Sequence, residues 1–462
     1  MAGGRRKGHG KGAGRSGRGE SRAQERARQL EVAAHAELPA HADVCVIGGG
    51  AAGLAAAIAA REAGARAVVL ERDLACGRTI LATGNGRCNF CNTSLEPGRY
   101  NHPDLAAAVM GEPGDALARV LDFFRACGLA WAEEDGRLYP RSRQAASVRN
   151  VLLSRCWREG VTLAPARTVL GATRRHGTWY VRYREGWVDA AGGLVPAGSE
   201  EASTADGAPN AAGAVRTLAC RSLVLASGGA TSALAARLGL PLVPESPVLC
   251  AVAAGAPAPH LLEALDGRRA HCVASLTRAG RVVLREAGEV LFRPYGISGI
   301  VSFDVSRECR PGDLVELDLA PEVDAWEVDN LVASRPGDTS ALDGILDPVI
   351  AAELIRLAGG VGASGLAWRV APLVKGLPLR VSGLAETERA QVTRGGVDVA
   401  ALDPATLALR GLGGARSSDS RLAHPCLFAC GEALDMDGAC GGFNLAWAWL
   451  SGLRAGEMAA RG

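Results

Sequence analysis

Aromatic residues are scarce in this sequence, 4% of 462 positions, whereas glycine alone fills 60. A chain poor in rings and rich in Gly and Ala suits close packing of helices on a sheet. Its 48% hydrophobic content excludes general disorder. Long apolar runs are lacking as well. Val44 to Ala60 is uncharged, but four glycines interrupt it, so a membrane span is not expected. The 13 cysteines are odd in number and irregularly spaced, which excludes a disulfide framework and points to reduced thiols in a cytoplasm. No apolar core or cleavage site marks the N-terminus as a secretory signal. A strong charge of either sign is missing too, the net being +2. The first thirty residues hold nine Lys/Arg and two Glu, which leaves 42 basic and 47 acidic residues elsewhere. A mildly acidic body makes nucleic acid an unexpected partner, apart from weak contacts of the basic tail. No metal site is expected.

The informative stretch is Asp43-Val44-Cys45-Val46-Ile47, a short buried strand that runs into Gly48-x-Gly50-x-x-Gly53 and a helix from Leu54 to Arg61. Gly48 permits the tight turn, Gly50 lets backbone approach a pyrophosphate, and Gly53 lets helix and strand pack closely. The free N–H groups at the start of that helix face the phosphates. A second strand, Ala67 to Leu70, ends at Glu71, placed to accept hydrogen bonds from a ribose. Two further matches, at Gly12 and at Gly360, follow no strand and are discarded.

Residues 1–40 read as a disordered, solubilising basic tail. Residues 41–250 and 395–462 are expected to form one nucleotide-binding domain, with a mobile insertion at 186–214 and a separate insert domain at 251–394. Behind Glu71 lies a Gly-dense loop, Gly77 to Asn89, that brings backbone and Arg side chains near a cofactor. Thr168-Val169-Leu170 and Trp179 to Tyr183 read as strands, and Ser222 to Ala226 as another that ends at Gly228-Gly229. Pro241 to Pro259 reads as the exit from the domain. Cys272–Leu276, Arg281–Arg285, Glu289–Phe292, Val301–Val305 and Leu314–Leu319 then suggest a β-barrel or meander, and 321–374 a helical part. The chain is expected to turn at Thr393 to Val397. Finally, Cys426 to Cys430 is a buried strand ending at Gly431-Glu432. Asp435, Asp437, Gly441, Gly442 and Asn444 follow, then an apolar helix from Leu445.

Four blocks, Ile47–Gly53, Gly77–Asn89, Gly288–Gly299 and Gly431–Trp447, together resemble the BaiN/RdsA-like FAD-dependent oxidoreductases, also labelled aminoacetone-oxidase-like. The resemblance runs from about residue 41 to the C-terminus. It implies an α/β fold: a Rossmann-like FAD-binding domain, of the two-dinucleotide-binding-domain flavoprotein type, interrupted by a β-barrel plus helical insert. It implies FAD contacts at Gly48, Gly50, Ala51, Ala52 and Gly53, and at Glu71, Arg72 and Arg78. Further contacts fall at Gly84, Gly86, Arg87, Cys88 and Asn89, around Val169, and at Ala226, Gly228 and Gly229. The last group is Gly431, Glu432, Asp437, Gly441, Gly442, Asn444 and Leu445. Arg293-Pro294 and Ile300 stand where the family usually shows Thr-His and Pro.

The expected activity is NAD(P)H-driven reduction of a carbon–carbon double bond in a steroid-like or other enone. The alternatives are a flavin oxidase acting on an amine, with oxygen as acceptor, and a non-catalytic flavin-binding protein. No second strand-linked fingerprint is present, so NAD(P)H is expected to bind transiently. Tyr295 is the candidate proton donor, and Arg293 a candidate for a substrate carboxylate. Cys88 and Cys91 form a CxxC pair that is not expected to carry electrons, although Arg87 and nearby backbone N–H groups are placed to lower a thiol pKa.

Overall fold

A computed structural model describes residues 37–188, 194–195, 214–335, 337–410 and 426–462. Most of the basic tail and of the 186–214 insertion lies outside the described residues. β1 (His41–Ile47), α1 (Ala51–Glu62) and β2 (Ala67–Leu70) form the strand–turn–helix–strand unit read from the sequence. Val44 to Ile47 and Ala67 to Leu70 are all buried, without alternation, as in parallel strands covered on both faces. β3 (Thr162–Ala164) pairs with β2, β4 (Val215–Leu225) with the other side of β1, and β5 (Leu427–Ala429) with β4, all parallel. The order β3-β2-β1-β4-β5 reverses direction between β1 and β4, and the Gly48 turn lies at that switch point. A ligand crevice is formed there because neighbouring crossovers diverge to opposite faces. The hairpin Arg167–Arg175/Thr178–Glu185 joins the sheet antiparallel to the first half of β4.

The insert closes a six-stranded antiparallel barrel from Ala251–Gly255, Gly296–Ser298, Arg281–Arg293, Arg269–Arg278, Leu314–Asp318 and Leu377–Ala385, in that circular order. Closure removes the free edges. Its core has Val252, Leu276, Phe292, Val315 and Leu379 at its centre, and the helices Ala325–Ala333, Pro348–Leu357 and Leu366–Lys375 pack on it. Asp347 caps the second of these by accepting from the Val349 and Ile350 N–H groups, with Pro348 at the first helical position.

Four local expectations are corrected. Arg281–Arg285 and Glu289–Phe292 are one strand, continuous through Gly288. Pro241 to Pro259 is no plain linker, because it holds Leu242–Val248, paired with Val392–Val397. A two-stranded sheet is all edge, so Pro244 and Pro247 need not donate, and the register shifts between Val243 and Ser246. The expected turn at Thr393 to Val397 is therefore a strand, bent at Gly395 and Gly396 with φ of +99° and +108°. Val301 to Val305 is α2 (Ile300–Glu308), not a strand. Over five residues, apolar ends four apart fit either period, and burial of Val301 and Val305 on one helical face decides.

The C-terminal α3 (Phe443–Arg461) packs along α1. A Cβ on Gly452 or Gly456 would collide with the carbonyl oxygens of Ala52 and Ala56. Two small residues thus bring the helix axes together and align the start of α3 with the Gly48 turn. Among the described residues, no helix is long and apolar enough to cross a membrane.

Candidate active site

A cavity of about 1080 Å³ runs from Glu71 past the Gly48 turn to Gly441, Gly442 and Leu445, with the barrel side closing it at Leu249, Ile300 and Phe303. Small-molecule sites fall at about 300–1,000 Å³, so this one suits a large ligand with space beside it. Gly48 turns at φ +104°, and a Cβ there would strike the Ala226 carbonyl. Gly50 precedes α1 in extended backbone without any side-chain cap, which leaves the first N–H groups of α1 to the cavity. A Cβ on Gly50 would meet only Thr79 Oγ1, at 3.5 Å, so the space before it belongs to a ligand. Ala51 and Ala52 line the same wall. Gly53 does not, since its place is against the Gly48 carbonyl, where packing requires a glycine.

Glu71 accepts from the N–H groups of Gly49 at 2.6 Å and Asp73 at 2.7 Å. Burial raises its carboxyl pKa, and these two donors oppose that rise. Arg72, Arg78 and Val169 line this end, with Arg78 3.6 Å from Asp73. Within the Gly-dense loop, Arg78–Ala82 is a short helix and Thr83–Gly86 a tight turn. Gly84, Arg87 and Asn89 line the cavity, whereas Gly86 and Cys88 do not. Arg87 is tied to Glu134 at 2.7 Å and lies over the Tyr139 ring. Cys88 and Cys91 are buried free thiols. Burial pushes them up to about 11 and about 12, which overturns the expectation of a lowered thiol pKa. Asn89 Oδ1 is buried with no hydrogen-bond partner, an open acceptor beside the cavity.

Ala226, Gly228, Gly229, Glu432, Asn444 and Leu445 border the cavity with Gly441 and Gly442. Glu432 accepts from the Thr393 N–H at 2.7 Å. Burial drives its carboxyl up to about 7, and Glu245 adds to that. Asn444 holds the loop ahead of α3 by accepting from Gly438 N–H and donating to Gly438 O, each at 2.8 Å. Gly431 is a packing glycine, because a Cβ would lie 2.6 Å from the Ala52 Cβ.

Asp437, Tyr295 and Arg293 also fall outside the cavity. Asp437 is fully buried between Arg307, 2.7 Å away, and Arg394, at 2.5 Å. Burial raises its pKa, but the two guanidinium groups outweigh that and hold it below the ordinary carboxylate value. It joins α2 and the strand Val392–Val397 to the C-terminal loop instead of facing a cofactor. Tyr295 sits on the barrel hairpin beside Arg293, and neither lines the cavity. Arg293 is 3.5 Å from Asp266. Sequence reasoning missed Arg137, Tyr139, Arg167, Phe303 and Val392, all of which line the cavity. Arg137-Leu138-Tyr139-Pro140 does alternate, but nothing local tells which face meets residues three hundred positions later.

These features fit FAD: a bare helix start for the pyrophosphate, an acid at the strand end, an orphan acceptor at Asn89, and a cavity of about 1080 Å³ lined from Glu71 to Leu445. Fold and crevice together define an FAD-dependent oxidoreductase. A profile of the HI0933-like protein Rossmann domain matches residues 42–458, so the chain belongs to that family. It is 31% identical to the 3-dehydro-bile acid delta(4,6)-reductase of Clostridium scindens, over 90% of this chain and 98% of that one. It is 26% identical to the ribosomal RNA dihydrouridine synthase of Escherichia coli, over 88% of this chain and 96% of that one. Among solved structures, the 3-ketosteroid-delta4-(5alpha)-dehydrogenase of Rhodococcus jostii aligns with a TM-score of 0.43 at 15% identity, covering 92% of this chain and 98% of that one.

Proposed function

We propose that this protein takes hydride from NAD(P)H and saturates a carbon–carbon double bond conjugated to a carbonyl group. The observation that supports this most is the 31% identity, nearly end to end, with a reductase whose name specifies a 3-dehydro-bile acid and its delta(4,6) bonds. The second relative makes dihydrouridine in ribosomal RNA. Dihydrouridine is uridine with its C5–C6 bond saturated beside the C4 carbonyl. Both names therefore describe the same bond chemistry on unlike molecules.

FAD, when bound, supplies hydride acceptance and donation at its ring, and the protein supplies position and field. In this reading, Gly48 to Ala52 and the start of α1 hold the pyrophosphate, and Glu71 the adenosine ribose. Glu432 and Asn89 hold the ribityl side, and Gly441, Gly442 and Leu445 border the ring. Leu249, Ile300, Phe303 and Val392 then form an apolar wall that seats a flat substrate and excludes water. Tyr295, outside this space, is not retained as the acid. The single proton that follows the hydride is left to water at the cavity mouth.

Anaerobic reduction with NADH and with NADPH, followed by an enone panel, ribosomal RNA and air in separate arms, tests the proposal. One nicotinamide should bleach the flavin and an enone should restore its colour. Flavin reoxidised by oxygen alone, with every unsaturated acceptor inert, would reject the reductase reading in favour of an oxidase.

A further inference from the structure

Arg137 lines the cavity beside Gly441, and its side chain forms no ion pair among the described residues. It begins the strand Arg137–Pro140, in which Leu138 and Pro140 are buried and Arg137 and Tyr139 face the cavity. Its neighbours Arg87 and Arg143 share one carboxylate, each lying 2.7 Å from Glu134, and approach the Tyr139 ring from 4.6 and 5.3 Å. Its backbone belongs to the ladder with Asn92 and Glu134, but among the described residues the Arg137 side chain makes no hydrogen bond or ion pair. Its Nε lies 3.7 Å from where a Cβ of Gly441 would stand, and Asn92 fixes Gly441 by donating Nδ2–H to its carbonyl at 2.8 Å. The acids that line the cavity are Glu71, Asp73 and Glu432. The first two lie at the far end with Arg72 and Arg78, and Glu432 accepts from Thr393 N–H through Oε1. A half-buried guanidinium whose cross-strand partner, Glu134, is already engaged by two other arginines favours an anion or a carbonyl oxygen becoming one.

We propose that Arg137 is a catalytic residue that binds the carbonyl oxygen of the unsaturated substrate and stabilises the enolate formed when hydride adds. This rests on the reductase reading. Hydride bonds to the β-carbon, the π pair of the double bond moves to the α-carbon–carbonyl bond, and negative charge collects on the oxygen at Arg137. Water then protonates the α-carbon and the carbonyl reforms, so two electrons and two hydrogens enter the product. A planar guanidinium suits this role because it donates two parallel N–H groups and stays charged at any working pH.

The test uses the FAD-loaded enzyme and its Arg137→Gln and Arg137→Lys variants. A para-substituted phenol serves as a non-reacting mimic of the enolate, read by its perturbation of the flavin absorption band. The wild type should bind the phenolate at least tenfold tighter than the phenol. Arg137→Gln should lose that preference and slow flavin reoxidation by enone at least a hundredfold, while the rate of reduction by nicotinamide and the flavin potential stay unchanged. Arg137→Lys should recover part of both effects. No phenolate preference in the wild type, or a changed flavin potential in Arg137→Gln, overturns the proposal, since the latter places the cation on the cofactor. If the wild type reduces no enone yet prefers phenolate through Arg137, the reaction reading fails and the oxyanion site stands. If it reduces enones and residue 137 is immaterial, only this proposal falls.

Discussion

Arg394 holds Asp437 as a fork, with Nε donating to Oδ1 at 2.5 Å and Nη2 to Oδ2 at 3.0 Å. Arg307 donates to the remaining side of Oδ2 at 2.7 Å. One buried carboxylate thereby joins the insert to the nucleotide-binding part. Asp437→Asn leaves two arginines facing each other with no charge between them. It should cost about 3–5 kcal/mol, read as a fall in denaturant midpoint. Because the folded carboxyl titrates below its ordinary value, its stabilisation is present above the unfolded pKa and is lost as pH falls through the folded one. Wild type and variant should therefore differ at neutral pH and converge in strong acid. A gap that persists in strong acid would show that the carboxylate charge is not its source.

Glu432 has the opposite linkage. Burial pushes its folded carboxyl up to about 7, above the ordinary 4.5. Between those values the folded state keeps a proton that the unfolded state has released, so stability falls as pH rises through this window. The difference amounts to roughly 3 kcal/mol at most. Flavin-stripped Glu432→Gln protein should lack this slope and exceed wild type in midpoint at pH 8 but not at pH 4. Equal pH profiles for the two proteins would refute a buried, proton-retaining Glu432.

Gly456→Ala should separate α3 from α1, because the added methyl group meets the Ala56 carbonyl. Overpacking of this kind costs about 1–3 kcal/mol. The loss should extend to the cofactor if, as proposed, the start of α1 holds the pyrophosphate. Melting temperature and FAD dissociation constant should worsen together. A lower melting temperature with unchanged FAD affinity would separate the helix contact from the site.

Cys88 and Cys91 should not exchange electrons with the flavin. Both thiols are buried and stay protonated well above neutral pH, and a protonated thiol is a poor nucleophile. Anaerobic titration should consume one hydride equivalent per FAD, in the wild type and in Cys91→Ser alike. Two equivalents in the wild type and one in the variant would assign the protein to disulfide chemistry.

The sequence alone determined the nucleotide-binding unit, because strand, turn, helix and acid are contiguous and each glycine from Gly48 to Gly53 answers a local backbone demand. It also determined the family, through blocks such as Gly77–Asn89 and Gly431–Trp447 that span many consecutive positions. Local reading failed where two periods fit a short run, as at Val301 to Val305, and where a rule for linkers met an all-edge sheet, as at Pro244 and Pro247. Tertiary structure alone decided which candidates face the cavity. Asp437 and Glu432 are both acids in one C-terminal loop, yet one is enclosed by two arginines from the insert and the other borders the ligand space. Gly431 reads as a cofactor glycine but serves packing against Ala52. Arg137 became a site residue only when its strand was brought beside Gly441. Charge pairing and cavity exposure depend on neighbours distant in the chain, and no local pattern encodes them.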